Sequence, residues 1–403
     1  MNHRLLQLQP YPFERLARLF DGVSPPEALS PIRLSIGEPQ HPVPPAILES
    51  LVAHLDRANQ YPSTRGLPEL RIAIAEWLKQ RFRLPSDAID PERHILPCSG
   101  TREALFSMAQ ALLPAEDAPL VLMPNPFYQI YEGAALLAGG EPYFLNTTDA
   151  LGQQPDFEGV PESVWSRCRL IYLCSPGNPS GAVVPRSSLK WLIECAQRHQ
   201  FIVAADECYS ELYRDESAPP PGLLEVAQDM GLSDFSRLLV FHSLSKRSNM
   251  PGLRSGFVAG DAELIRQFFL YRTYHGAALP LPIQAASVTA WSDETHVREN
   301  RARYREKFAA VVNRLNEVLP MTIPEAGFYL WPQLPSDDQA FTRALFEKTH
   351  VTVLPGSFLS RDAHGINPGH RHIRIALVPP LEACVEAAER IRQFIQTQPT
   401  FSG

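Results

Sequence analysis

The strongest constraint on this chain is a series of short apolar runs separated by longer amphipathic stretches, between about residues 70 and 280. Leu120-Val121-Leu122-Met123, Leu170-Ile171-Tyr172-Leu173 and Ile202-Val203-Ala204-Ala205 contain no charged residue, and Leu238-Leu239-Val240-Phe241 and Gly256-Phe257-Val258-Ala259 continue the series. A strand with one wet face alternates apolar and polar residues, so runs like these read as strands covered on both faces. The stretches between them carry helical spacing. Leu105, Met108, Ala109 and Leu112 share one face of a helix predicted over Arg102 to Leu113, and another helix is predicted over Ser187 to His199, behind Pro185. Strands alternating with helices imply an α/β fold with a mostly parallel central sheet flanked by helices.

Beyond residue 280 the rhythm changes. A long helical stretch is predicted from Pro282 to about Leu319. It is followed by apolar runs at Gly327 to Trp331, Val351 to Leu354 and His372 to Val378, with helices near Asp338 to His350 and Leu381 to Gln396. This is the pattern of a smaller α+β domain, and 403 residues exceed what one core usually serves. The prolines cluster at Pro42 to Pro45, Pro124 to Pro126 and Pro219 to Pro221, where they punctuate loops.

A formal charge of -7 with scattered basic residues gives no footprint for nucleic acid or an anionic membrane. Six cysteines without a C-x-x-C pair suit a reducing compartment, no metal is expected, and the first residues lack an apolar leader. A cytoplasmic location is expected.

Several polar segments sit where predicted strands end. Ser243-Leu244-Ser245-Lys246-Arg247, with Arg254 shortly after, follows the Leu238 run and gathers hydroxyls, an amine and a guanidinium suited to a phosphate dianion. A solvated polar loop would read the same way. Ser99-Gly100-Thr101-Arg102 opens a helix, where backbone N–H groups favour an anion, although capping by Ser99 or Thr101 is the plain alternative. Asp206, followed by Tyr209, closes the Phe201 to Ala205 strand, and Ser175-Pro176-Gly177-Asn178-Pro179 follows the Leu170 run. In His372-Ile373-Arg374-Ile375 the period of two turns Arg374 away from its apolar neighbours, so it needs an anion there.

In order and spacing, Ser-Leu-Ser-Lys246 with Arg254, Asp206-x-x-Tyr209, Ser-Pro-Gly-Asn178-Pro and Ser-Gly-Thr101 resemble the class I/II aminotransferases of pyridoxal-phosphate fold type I, along nearly the whole chain. The resemblance implies pyridoxal 5′-phosphate as cofactor, with Lys246 as the lysine that bonds to it. It implies that Asp206 partners the pyridine nitrogen and that Tyr209 and Asn178 partner the phenolate oxygen. Gly100, Thr101, Arg102, Ser243, Ser245 and Arg254 match phosphate-binding positions, and Tyr128 matches the aromatic residue stacked on the ring. Gly37 and Arg374 match positions that hold the substrate carboxylate, together with Asn178. Tyr61 matches a tyrosine that reaches the phosphate of a partner subunit, so a homodimer with shared active sites is implied. The implied organisation is an N-terminal arm with part of the small domain over 1–44, a large cofactor-binding domain over 45–280, and a connecting helix with the small domain over 281–403.

Longer stretches, including Gln9 to Arg15, Asn125 to Ala135 and Leu270 to Gly276, resemble the succinyldiaminopimelate aminotransferase subgroup. That implies glutamate as amino donor, N-succinyl-2-amino-6-oxopimelate as acceptor and 2-oxoglutarate as product, in lysine and diaminopimelate biosynthesis. Arg272, Arg15 and Arg18 are candidates for the distal pocket. A broad-specificity aspartate, aromatic or alanine-type aminotransferase is the alternative, and the effector-binding domain of a regulator a remoter one.

Overall fold

A computed structural model describes residues 2–114, 118–398 and 401. Its main sheet contains β1 (Ile95–Cys98), β2 (Leu120–Asn125), β3 (Glu141–Asn146), β4 (Cys168–Cys174), β5 (Ile202–Asp206), β6 (Leu238–Ser243) and β7 (Gly256–Gly260). Their order across the sheet is β1-β7-β6-β5-β4-β2-β3. β7 runs antiparallel to both of its neighbours, and the other pairings are parallel. The reason lies in the connection from β6 to β7, which holds only the short helix Leu244–Arg247 and the turn Pro251–Leu253. A parallel return needs a crossover, usually a full helix.

The apolar runs are buried on both faces, and their residues separate strictly by parity. Leu122, Ile171, Val203 and Val240 join one core layer, which includes helix Pro68–Phe82 and helix Arg186–His199. Val121, Leu170, Tyr172, Ala204 and Phe241 face the opposite layer, with helices Thr101–Leu112 and Ile130–Ala138. Each Val, Leu, Ile or Phe side chain among them contributes about 1.5–3 kcal/mol by leaving water.

The expected long helix after Pro282 is two helices, Leu281–Trp291 and Thr295–Leu315. Asp293 breaks it, because its carboxylate accepts from the backbone N–H groups of Thr295 (3.0 Å) and His296 (3.2 Å) and so caps a new helix. The first helix packs Ala286, Ala290 and Trp291 into the main core. The second carries Phe308, Val311 and Leu315 into a separate core with Phe341, Leu345, Ile391 and Phe394, joined by Ile32 and Leu34 from near the start of the chain. Over that core lies a three-stranded antiparallel sheet with Ile373–Ala376 in its centre, between Leu354–Pro355 and Tyr329–Leu330. The Val351 run divides at Val353, since Val351–Thr352 pairs instead with Ile32–Arg33. Among the described residues, no helix is long and apolar enough to cross a membrane.

Candidate active site

The parallel strands β4, β5 and β6 end side by side at Cys174, Asp206 and Ser243. β1 ends at the same edge, because Cys98 and Ser243 both pair with Gly256. Open α/β sheets place their sites at this edge. Here it borders a cavity of about 340 Å³, which is the size of a small-molecule site.

The cavity is lined by Gly37, Thr101, Arg102, Tyr128, Asn178, Asp206, Tyr209, Ser243, Ser245, Lys246, Arg254 and Arg374, which the sequence disperses over more than 300 positions. Gly100 stands directly behind Arg254, where a Cβ would collide with the guanidinium, and its φ of 80° suits glycine. Tyr61 lies apart from the cavity, fully exposed.

The cavity floor is the turn after β6. Ser243 Oγ accepts from Ser245 N–H (3.0 Å) and donates to Ser245 Oγ (2.9 Å), which fixes both hydroxyls beside the start of the short helix. Lys246 Nζ has one hydrogen-bond partner among the described residues, the Gly37 carbonyl. Burial pushes the amine down to about 8, and the nearby Arg374 guanidinium adds to the effect. Helix Thr101–Leu112 meets the cavity with Gly100 as its N-cap and no side-chain cap, so neither Ser99 nor Thr101 plays the capping role. Thr101 Oγ1 instead lies 3.0 Å from Cys208 Sγ.

Asp206 is buried, and burial raises its carboxyl above the usual range despite hydrogen bonds that oppose the shift. Its Oδ2 accepts from Tyr131 Oη at 2.7 Å and its Oδ1 from Cys208 N–H at 3.3 Å. Tyr209 Oη is 3.1 Å from Tyr329 Oη, and burial holds the Tyr209 phenol well above its ordinary range. Arg374 points to the cavity while Ile373 and Ile375 enter the small core, as the period of two requires. Its Nη1 donates to Asn178 Oδ1 (3.0 Å) and its Nη2 to the Ser35 carbonyl (2.6 Å), while Nε is buried without a partner. A buried guanidinium with only neutral partners suits a carboxylate. Gly37 is small because a Cβ there would strike Tyr329 Oη.

The distal-pocket arginines fall elsewhere. Arg272 is fully buried, paired with Glu103 and the Ala277 carbonyl (2.7 Å), and does not line the cavity. Arg15 stacks on Phe358, and Arg18 pairs with Glu14 at the surface. Tyr131, Cys208, Tyr329 and Tyr11 were missed by sequence reasoning. Tyr11 and Tyr131 lie in the subgroup-like stretches, Tyr329 in the Gly327 to Trp331 run and Cys208 between Asp206 and Tyr209, but nothing in the sequence marks them as site residues.

The donor set fits pyridoxal 5′-phosphate. Two fixed hydroxyls, an uncapped helix start and Arg254 suit its phosphate, the buried Asp206 suits a pyridine nitrogen, and Lys246 is an amine with no acidic partner.

The sequence pattern of the family described as aminotransferase class I and II matches residues 30–391. The chain therefore belongs to the class I and II aminotransferases, which depend on pyridoxal 5′-phosphate. Among its relatives is an LL-diaminopimelate aminotransferase of Nitratidesulfovibrio vulgaris (strain DSM 19637 / Miyazaki F), 32% identical over 96% of this chain and 97% of the relative. An aminotransferase of Neisseria meningitidis Z2491 superposes with a TM-score of 0.93 at 49% identity, over 98% of this chain and 99% of that one. A protein of Thermus thermophilus described as a probable N-succinyldiaminopimelate aminotransferase superposes with a TM-score of 0.81 at 30% identity, over 91% and 95%.

Proposed function

We propose that the chain transfers the amino group of glutamate to N-succinyl-2-amino-6-oxopimelate, releasing 2-oxoglutarate, in diaminopimelate and lysine biosynthesis. The observation that carries the reading is that Lys246 Nζ and Arg374 line one cavity, with Asp206 buried in its wall. Bound pyridoxal 5′-phosphate supplies an electron sink conjugated to the substrate Cα. Arg374 and Asn178 hold the α-carboxylate, with the Gly37 backbone beside it. Thr101, Ser243, Ser245 and Arg254 hold the phosphate, joined by backbone N–H groups at Gly100, Thr101 and Arg102. Asp206 keeps a proton on the pyridine nitrogen, Tyr209 and Asn178 donate to the phenolate oxygen, and Tyr128 covers the ring. Lys246 Nζ would take the proton from the substrate Cα and give it up again on the coenzyme side, acting first as base and then as acid. An amine pushed down to about 8 has a useful neutral fraction near neutral pH.

Two copies share their sites in this reading. Tyr61 is fully exposed, and Leu48, Val52 and Leu55 are exposed on neighbouring turns, which suits a surface that a second copy covers and from which Tyr61 reaches the partner's phosphate.

The names of relatives such as the Nitratidesulfovibrio enzyme favour a second reading, with unsuccinylated LL-diaminopimelate as substrate. The test is kcat/KM for N-succinyl-LL-diaminopimelate and LL-diaminopimelate, each donating to 2-oxoglutarate. The first reading expects the succinylated compound to lead by about two orders of magnitude, in line with the loss when a site's polar groups are left unpaired. The reverse order selects the second reading, and a lead for aspartate or phenylalanine over both selects a broad-specificity enzyme.

A further inference from the structure

Four cationic side chains line the cavity, Lys246, Arg254, Arg374 and Arg102, against the single carboxylate of Asp206. The first three side chains and only the backbone of Arg102 have a part in the proposed transfer. The Arg102 side chain points elsewhere. Its Nε donates to Tyr128 Oη at 2.6 Å and its Nη2 to Tyr11 Oη at 2.9 Å. Both acceptors are phenols, and burial pushes Tyr128 above its ordinary range, so that phenol is neutral.

Like the other three, Arg102 lacks, among the described residues, the acidic partner that arginines outside the cavity have. Arg272 has Glu103, and Arg361 holds Glu132 through two N–H groups at 2.9 and 2.6 Å. Arg102 has no acidic partner among the described residues and lies half-exposed at the cavity wall. A phenol is a weaker acceptor than a carboxylate, and a guanidinium fork binds a carboxylate through two parallel hydrogen bonds. Tyr11 supplies the second element. It begins the helix Pro12–Leu19, and Tyr11, Pro12 and Phe13 together form part of the cavity lining. A carboxylate arriving at Arg102 would also meet the Tyr11 hydroxyl, which can turn to donate to it.

We infer that Arg102 and Tyr11 form a carboxylate subsite that reads the far end of a dicarboxylic amino acid or oxo acid whose α-carboxylate sits on Arg374. The inference rests on the proposed use of glutamate and an acidic acceptor, and it names the group that distinguishes them from monocarboxylates. It also gives the N-terminal segment a part in substrate choice.

The test uses coenzyme-loaded protein and compares the first half-reaction with L-glutamate and with L-norvaline, its near-isostere without the distal carboxylate. The absorbance of the bound coenzyme reports the reaction. Arg102→Leu and the more conservative Arg102→Gln should each lower the glutamate-to-norvaline ratio of kcat/KM about 10- to 100-fold, as loss of charged hydrogen bonds predicts. Tyr11→Phe should lower it in the same sense by about threefold to tenfold. Dissociation constants for glutarate and valerate, read from the same absorbance, should change in parallel. An equal fall for both amino acids, or loss of coenzyme affinity with the ratio unchanged, would overturn the subsite and leave Arg102 to the phosphate. If the wild-type protein itself shows no preference for glutamate over norvaline, the proposed donor falls and the subsite with it. A wild-type preference retained by both Arg102 variants overturns the subsite alone.

Discussion

Removing the Tyr131 hydroxyl should weaken the protein in a pH-dependent way. Tyr131 is fully buried with its ring stacked on Tyr172 (centroids 4.7 Å apart, 10° between planes), and its hydroxyl donates to Asp206 Oδ2 at 2.7 Å. Tyr131→Phe keeps the ring and the stack and deletes the shorter of the two hydrogen bonds to that carboxylate, the other being 3.3 Å from Cys208 N–H. A hydrogen bond to a charged group contributes about 1.5–3 kcal/mol, so a loss of about 2 kcal/mol is expected near pH 7.5. Burial already raises the Asp206 carboxyl above its unfolded value. Such a group costs stability only where the folded chain must keep it charged, so the penalty is present at neutral pH and fades as acid protonates Asp206. The destabilisation by Tyr131→Phe should therefore shrink on acidification. Affinity for pyridoxal 5′-phosphate should fall about tenfold, because the proposed role of Asp206 is to partner the pyridine nitrogen in its charged form. Denaturant titrations of coenzyme-free protein across pH, with coenzyme binding alongside, measure both. Tyr172→Phe is the control, since that hydroxyl is equally buried but donates to the Leu105 carbonyl at 2.7 Å. It should lose stability without the pH dependence. Identical pH profiles or identical coenzyme affinities for the two variants would refute the role assigned to Tyr131.

Four further outcomes are expected. With Lys246 pushed down to about 8, the rate of coenzyme capture should rise roughly tenfold between pH 7 and pH 9 and then level, and a flat profile contradicts this. The same lowering means that stability rises with pH between about 8 and the ordinary 10.5, where the unfolded lysine still holds its proton and the folded one does not. Gly100→Ala places a Cβ against the Arg254 guanidinium at a positive φ, so affinity for pyridoxal 5′-phosphate should drop at least about tenfold while affinity for unphosphorylated pyridoxal changes less. Equal losses would remove the phosphate argument. Arg272→Leu leaves Glu103 without its arginine, with only Ser99 N–H and Ser107 Oγ among the described residues donating to it, and should cost about 3 kcal/mol in denaturant unfolding with no change in the glutamate-to-norvaline ratio. A changed ratio would return Arg272 to the substrate pocket.

The buried strands were legible because runs such as Leu120 to Met123 and Leu170 to Leu173 have no wet face, and Asp206 and Ser243 were legible as polar residues where such runs end. Strand direction was not. β7 is as apolar as its neighbours, and its reversal depends on the shortness of the connection before it. The break in the long helix turned on one capping aspartate, Asp293, inside an otherwise helical composition. The pairing of Arg272 was not legible because its partner, Glu103, lies 169 residues away, and no local pattern separates a paired arginine from a free one. Tyr131 and Tyr329 sit among apolar residues on a helix and a strand, and their contacts with Asp206 and Tyr209 arise only when distant elements meet at the sheet edge.

Peptide mapping tests most directly whether Lys246 is the residue that holds the coenzyme. The chain has only five lysines, Lys79, Lys190, Lys246, Lys307 and Lys348. Coenzyme-loaded protein is reduced with borohydride, digested and analysed by mass spectrometry. The predicted result is the coenzyme's added mass on the peptide containing Lys246 and on no other, abolished in Lys246→Ala. Attachment at any of the other four lysines, or no covalent attachment at all, would contradict the account.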